Sequence, residues 1–441
     1  MPDGYLAALG GPRAIPKDFS FGVWPQITPD DEAFVLASLH QSRHGWGPNC
    51  VALQREFARW NGNRSCAACN SGTAALHMGL AACDVKPGDE VITTSLSWTS
   101  TGTCILHHNA IPVFVDVDAD TMLIHPRKIE AAITRRTRAI LVVHYYGLPC
   151  DMDEIMQIAH RHGLYVIEDA CQSHGSTYKG RKAGTLGHCA AFSLNQNKNL
   201  CGGEGGLFVT DDDALYRRAR ALMNFGEMIA PEGARDRHSY AMGWMYRTSD
   251  LAAAFARSGL KRLDSTNEHA KRNWHRLREL LAGTPHVVLP PVLPDRETNG
   301  YAFVIRIASG LAPSPDAMTR LKGALLVALR AEGVPVHDVH GLLPAHAVFQ
   351  ARVGYGHGCP WDCRSVRSEV SYDLAQYPVA RATWASSIQI GINAHRPPNG
   401  EEHLQMIARG ISKVFGCIDE LSNEQRTALE RVYESRRAAF G

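Results

Sequence analysis

Between about residue 65 and residue 210, short runs of apolar residues alternate with stretches in which apolar positions return every three or four residues. A run apolar at every position suits a strand covered on both faces, and the return near 3.6 suits a helix with one buried stripe. The alternation predicts βαβ units around a largely parallel sheet. Predicted strands are 91–93, 113–117, 139–143, 164–167, 190–194 and 207–210, most of them rich in β-branched residues. Between them, Met152, Ile155, Met156 and Ala159 mark one face of a helix that stops at Gly163, a residue able to close the last turn. Another helix follows Pro126, which is tolerated in a first turn.

Beyond residue 250 the texture changes. Residues 249–263 and 268–281 predict helices, and the Pro-rich stretch 284–299 predicts a linker. This divides the chain into an N-terminal segment with a large α/β domain over 1–283 and a smaller α+β domain over 284–441. The second domain mixes a strand at 302–307, a helix at 316–332 and a loop region rich in His, Gly and Cys. A charged helix at 423–440 is expected to lie solvated on the surface.

A length of 441 residues leaves room for two or three cores. Lys and Arg total 46 against 44 Asp and Glu, a formal charge of +2 without long single-sign runs, so no basic stripe for nucleic acid is expected. No segment approaches the roughly 18 to 20 apolar residues of a spanning helix, so no membrane partner is expected either. The first residues carry Asp3 and no basic region ahead of an apolar one, which argues against a secretory signal. The 12 cysteines are then expected to be reduced thiols of a cytoplasmic enzyme.

Three stretches carry chemistry. In Asn70-Ser71-Gly72-Thr73-Ala74 a loop of small residues opens a helix, where free backbone N–H groups and hydroxyls suit a phosphate or simply cap the helix. In 165–172 an apolar strand ends in Glu168 and Asp169, and ligands of open α/β sheets gather beyond such strand ends. In 192–206 a strand leads to Lys198 and then to a glycine-rich loop. Desolvation there lowers a lysine's pKa and makes its amine a nucleophile toward carbonyls. A phosphate cradle, an acid and a nucleophilic lysine in one pocket are the parts that pyridoxal 5'-phosphate needs. The lysine forms the Schiff base and the acid pairs with the ring nitrogen. Trp98 offers a flat face for the ring.

With these residues in place, the sequence from about Trp24 to Phe415 resembles the DegT/StrS family of sugar and cyclitol aminotransferases. The motifs are SGTAAL, GDEVI with Trp98 downstream, VFVDVD, VVHYYG, VIEDACQSHGS, FSLNQNK with GGEGG, and GWMYR. The resemblance implies the fold-type-I architecture, with a mostly parallel seven-stranded sheet, and a homodimer with its sites at the subunit interface. It makes Lys198 the lysine that carries the cofactor and Asp169 the partner of the ring nitrogen. Gln172 is similar to the residue that binds the ring hydroxyl, Trp98 to the stacking aromatic, and Ser193, Ser71, Gly72 and Thr73 to phosphate ligands. It further implies an amino-acid donor, L-glutamate or L-glutamine, and a keto-sugar or keto-cyclitol acceptor, as in amino-sugar or aminocyclitol biosynthesis for natural products or surface glycans. The long leader resembles the cyclitol members more than the nucleotide-sugar ones.

Two positions depart from the family. Met245 stands where an Asn usually reaches a phosphate across the subunit interface, and methionine donates no hydrogen bond. Asn195 stands where some nucleotide-sugar members have His. Asn195, His238, Tyr240, Tyr246 and Arg247 are candidates for the acceptor site or the second-subunit contact. Lys198 favours transamination over the dehydratases that resemble this family but carry His at that place. A nicotinamide enzyme would need G-x-G-x-x-G before a helix, and none occurs. A zinc site from His337, His340, His346, His357, Cys359 and Cys363 is the alternative from another class, although H-x2-H and C-x3-C match no paired zinc template. A polar wall of the substrate pocket is the preferred reading, and no metal is expected. Cys171, Cys189 and Cys201 are expected beside the cofactor residues.

Overall fold

The computed structural model describes residues 5–229, 235–362 and 369–438. Its centre is a seven-stranded sheet of Ser65–Cys69 (β1), Glu90–Thr94 (β2), Ile111–Val115 (β3), Thr137–Val143 (β4), Tyr165–Asp169 (β5), Cys189–Ser193 (β6) and Gly206–Thr210 (β7). The spatial order is β1-β7-β6-β5-β4-β2-β3. Neighbours run parallel except at β7, which is antiparallel to both β1 and β6. Every predicted strand of this region is present within about two residues at each end. β1 was not predicted, because Ser-Cys-Ala-Ala-Cys holds no β-branched or aromatic residue. It is a strand because β7 supplies a complete ladder for it.

The helix Gly72–Ala82 (α1) follows β1 and crosses the sheet face. Glycine at 79 permits the close approach, since a Cβ there would stand 3.1 Å from Ile167 Cγ2. Thr99–His107 (α2) begins directly after Trp98. These connections bring the start of α1 and the ends of β5 and β6 to one edge of the sheet, where a doubly wound fold binds its ligand.

A second, antiparallel sheet comprises Val287–Val288 (β8), Phe303–Ile307 (β9), Val336–Asp338 (β10) and Ser387–Ile390 (β11), in the order β8-β9-β11-β10. Its core takes Phe303, Ile305, Ile388 and Ile407, and also Leu6 and Ile15 from the N-terminal segment and Trp274 and Leu277 from Leu263–Leu280 (α3). Buried Glu332 ties that segment down by accepting the N–H groups of Ala7 (2.7 Å) and Ala14 (2.8 Å).

The terminal helix, Asn423–Ala438 (α5), corrects the expectation of a solvated surface element. It packs on Pro315–Ala331 (α4), with Leu429 buried in the small core. The Tyr433 ring sits so close that a Cβ on Gly323 would stand 2.6 Å from it. Leu429 and Tyr433 are one turn apart, a stripe too narrow to register beside the charged majority.

Candidate active site

Side chains alternate along a strand, so the adjacent acids at the end of β5 face opposite ways. Glu168 is fully buried. Its oxygens accept the N–H groups of Gly184 (2.7 Å), Leu186 (2.8 Å) and Gly187 (2.6 Å), and His144 Nε2 lies 2.8 Å away. Asp169, on the other face, accepts from the Thr101 hydroxyl (2.8 Å) and the Cys171 N–H (3.2 Å).

At the start of α1 the Ser71 hydroxyl accepts the Ala74 N–H (3.0 Å) as an N-cap. The Gly72 and Thr73 N–H groups, being in the first turn, have no intrahelical acceptor. A Cβ on Gly72 would stand 2.9 Å from both Cys171 Sγ and Ser193 Cβ. The helix start, the turn after β5 and the end of β6 therefore pack so closely here that only glycine fits. Tyr246 braces this cradle, its carbonyl accepting the Asn70 N–H (2.7 Å).

Lys198 is half-buried, and its amine donates to the Tyr301 hydroxyl (3.0 Å). The sequence predicted a lowered pKa, and the structure corrects this. Burial does push the amine down, but the Tyr301 phenol, the Cys171 thiol and Asp169 favour its charged form and together raise it above the ordinary lysine range. Tyr301 lies too far along the chain for local spacing to reveal it. The Lys198 loop is held by Asn195, whose Nδ2 donates to Glu204 (2.7 Å) and whose Oδ1 accepts the Asn197 N–H (3.0 Å).

Gln172 is buried, with its carbonyl oxygen taken by the Tyr146 N–H (2.7 Å), which leaves its NH2 end to donate. Trp98 is 59% exposed and meets His340 edge-to-face at 5.2 Å. Burial, reinforced by the Lys198 charge, pushes His340 down to about 4, so this imidazole is neutral near pH 7.

A cleft of about 560 Å³ opens beside these residues, and Tyr301, Asp338, His340, Gln389 and Asn393 are among its walls. Among the described residues no Lys or Arg lines it. The Asp338 carboxylate accepts the buried Lys322 amine (2.7 Å) on one oxygen and the Tyr433 hydroxyl (3.0 Å) on the other. A larger cavity, about 690 Å³, lies beyond Tyr145 and Tyr146 under residues 290–294. Neither Lys198 nor Asp169 lines either cavity, but the smaller one shares with the site Tyr301, which bonds Lys198, and His340, which meets Trp98.

The acceptor candidates His238, Tyr240, Tyr246 and Arg247 do not line the cleft. His238 and Tyr240 are exposed at the hairpin of Glu227–Ile229 and Arg235–Ser239, edge-to-face with each other at 4.6 Å. Met245 is exposed. Arg247 donates to Asn224 Oδ1 (3.3 Å), and the Tyr246 hydroxyl meets His77 Nδ1 (3.0 Å). Cys189 is not beside the cofactor residues as expected: it begins β6, at the end away from the site, with its sulfur 3.9 Å from that of Cys83. Of the zinc candidates, His337 and His340 line the cleft, His337 on β10 rather than in a loop. Cys363 lies outside the described residues, and among those described no three His, Cys, Asp or Glu side chains converge as metal ligands would. Sequence reasoning missed Tyr301, Asp338, Gln389, Asn393 and Arg396. The polar cluster 393–399 between a strand and a helix was the available signal for the last two.

The fold and this arrangement define a fold-type-I, pyridoxal-phosphate-dependent aminotransferase. The chain belongs to the DegT/DnrJ/EryC1/StrS aminotransferase family, whose model matches residues 25–360. It is 36% identical over 343 residues to the spore coat polysaccharide biosynthesis protein SpsC of Bacillus subtilis, covering 75% of this chain and 85% of that protein. It is 35% identical over 360 residues to the L-glutamine:2-deoxy-scyllo-inosose aminotransferase of Streptomyces fradiae, covering 78% and 83%. The crystal structure of 3-amino-5-hydroxybenzoic acid synthase superposes with a TM-score of 0.80 at 26% identity, covering 90% of this chain and 99% of that one.

Proposed function

We propose that this enzyme moves an amino group from L-glutamine or L-glutamate to the ketone of an uncharged polyol, a keto-cyclitol or a keto-sugar without a nucleotide. The carrying observation is the cleft wall. It offers amides, imidazoles and one carboxylate already matched by Lys322, which suits hydroxyl groups, and among the described residues no Lys or Arg for a diphosphate. The Streptomyces fradiae relative supports both the cyclitol and the glutamine.

The site residues fit the cofactor. The free N–H groups of Gly72 and Thr73 at the start of α1, with the Ser193 side chain, would take its phosphate. Asp169 would face the ring nitrogen and hold it protonated, with Thr101 keeping the carboxylate in place. Gln172 would donate to the ring hydroxyl and Trp98 would cover one ring face. When bound, the cofactor supplies an electron sink through which an amine becomes a ketone and a ketone an amine. Lys198 Nζ would hold the cofactor and, when free, would take a proton from the donor's α-carbon as base and return it as acid. The same amine serves the acceptor in reverse order.

A second copy of the chain belongs to this reading. Val23, Ile27, Leu36 and Leu39 are exposed on one stretch, and Met228, Tyr240, Met242 and Met245 on another. Apolar surface of this kind marks an interface. Sedimentation should give twice the chain mass. Nine described cysteines, Cys171 and Cys201 among them, are free thiols, which supports a cytoplasmic setting. Among the described residues no helix is long and apolar enough to cross a membrane.

An absorbance experiment tests the proposal. The purified enzyme should show a visible cofactor band that bleaches with glutamine or glutamate and returns with a keto-cyclitol or free keto-sugar. Return only with a nucleotide-linked ketohexose would overturn the choice of acceptor. A protein that takes up no cofactor would overturn the whole reading.

A further inference from the structure

Arg396 is wholly buried, yet among the described residues no carboxylate pairs with it. A buried cation without an anion is costly, and a methionine of similar length would fill the same space without that cost. Burial depresses the guanidinium to about 10, which still leaves it charged near pH 7. What it alone supplies is a rigid plane of N–H donors. Its Nη1 donates to the Asn197 carbonyl (2.8 Å) and Asn393 Oδ1 (3.4 Å), its Nη2 to the Tyr301 carbonyl (3.4 Å), and its Nε finds no acceptor.

The two backbone carbonyls it holds flank the reactive amine. Asn197 immediately precedes Lys198, and Tyr301 is the residue whose hydroxyl accepts from the Lys198 amine (3.0 Å). The next carbonyl of the loop, that of Lys198 itself, accepts the Trp24 indole N–H (3.2 Å), and the Trp24 ring lies against the Arg396 guanidinium (5.1 Å). Beside Tyr301, the Gly300 carbonyl accepts from His395 Nε2 (2.7 Å). We propose that Arg396, with Trp24, is a positioning residue: it ties the backbone on both sides of the Lys198–Tyr301 contact into one frame and so sets where Lys198 Nζ stands when it takes a proton from the donor.

Other accounts of Arg396 fit less well. It lines neither the cleft nor the larger cavity, so it acts through Lys198 and not on a ligand. A cation placed to tune Lys198 by its charge would push that amine down, whereas the Lys198 amine stands above the ordinary lysine range. Space filling alone would be served by an apolar side chain.

The proposal rests on Lys198 being the reactive amine, and two variants separate placement from charge. Arg396→Met fills the space without a donor, and Arg396→Lys keeps the charge on a single nitrogen that cannot hold both carbonyls in the same geometry. Amide hydrogen exchange on the full-length chain, before cofactor is added, reads the loop. The N–H groups of Gln196, Lys198 and Gly202, which donate to the Gly203, Asn195 and Leu194 carbonyls, should exchange about tenfold faster or more in both variants, with β4 and β5 unchanged. Trp24→Phe keeps a ring against the guanidinium and loses only the bond to the Lys198 carbonyl, so it should loosen the same amides by about threefold, and it stands in where an Arg396 variant does not fold. In the loaded enzyme, bleaching of the cofactor band by saturating L-glutamine or L-glutamate should slow about a hundredfold in both Arg396 variants, with the half-saturating donor concentration within about twofold of the wild type. Wild-type loop exchange in Arg396→Met and Trp24→Phe overturns the proposal. So does an Arg396→Lys variant with wild-type exchange and bleaching, or exchange that rises equally throughout the sheet. A missing cofactor band in the loaded wild type would instead sink the aminotransferase reading and leave the exchange result standing.

Discussion

Replacing Glu168 with Gln places an NH2 group among three backbone donors that now share two carboxylate oxygens. Two donors would face each other in a fully buried spot, which should cost about 2–4 kcal/mol in a denaturant titration. Asp169→Asn should behave oppositely. Asn can still accept from Thr101, so the melting point should hold, while turnover should fall by about two to three orders of magnitude as the charge proposed to face the ring nitrogen disappears. Equal losses of stability in both variants would contradict the separation of roles along β5. Met245→Asn tests the departure from the family pattern. An amide reaching the phosphate would add a hydrogen bond to a charged group, worth about 1.5–3 kcal/mol. The cofactor concentration for half-saturation, followed by fluorescence quenching, should then fall about tenfold or more. No change would place this position out of reach of the phosphate.

At the scale of elements, the parallel core was legible because β2 to β6 are apolar runs bounded by turns. The site motifs were legible because Ser71–Thr73, Asp169–Gln172 and Lys198 each sit just beyond a strand end. What stayed hidden was set by contacts between distant elements. β1 is a strand only through its ladder with β7, Tyr301 reaches Lys198 from across the molecule, and α5 docks by two side chains. That docking carries a prediction. Tyr433 fixes Asp338, which lines the cleft proposed to take the acceptor. Tyr433→Phe should therefore raise the acceptor KM while leaving the bleaching rate with the amino donor unchanged. Ending the chain at residue 422 removes Leu429 as well, whose burial is worth about 1.5–3 kcal/mol, and should lower the melting point by several degrees. A donor step slowed as much as the acceptor step in Tyr433→Phe would defeat the assignment.

For the molecule as a whole, the charge count of +2 treats all 21 histidines as neutral, and in four of them the fold enforces that state. Burial pushes His77 and His174 down to about 3, and His340 and His395 to about 4, aided by the neighbouring positive charges of Lys198 and Arg396 or, at His77, of His107 and His108. In the unfolded chain the same imidazoles titrate near 6.5. Below that value the unfolded state binds protons that the native state refuses, so stability is full above about pH 6.5 and drains as the pH falls toward 4. The loss is about 1 kcal/mol per histidine for each pH unit in this window. Carboxylates begin to contribute only near pH 5, which separates the two causes. The melting temperature should therefore already decline between pH 6.5 and pH 5.5. A melting temperature flat across that interval would mean that these four side chains take up protons without unfolding, and that the packing around His77 and His174 is open to water.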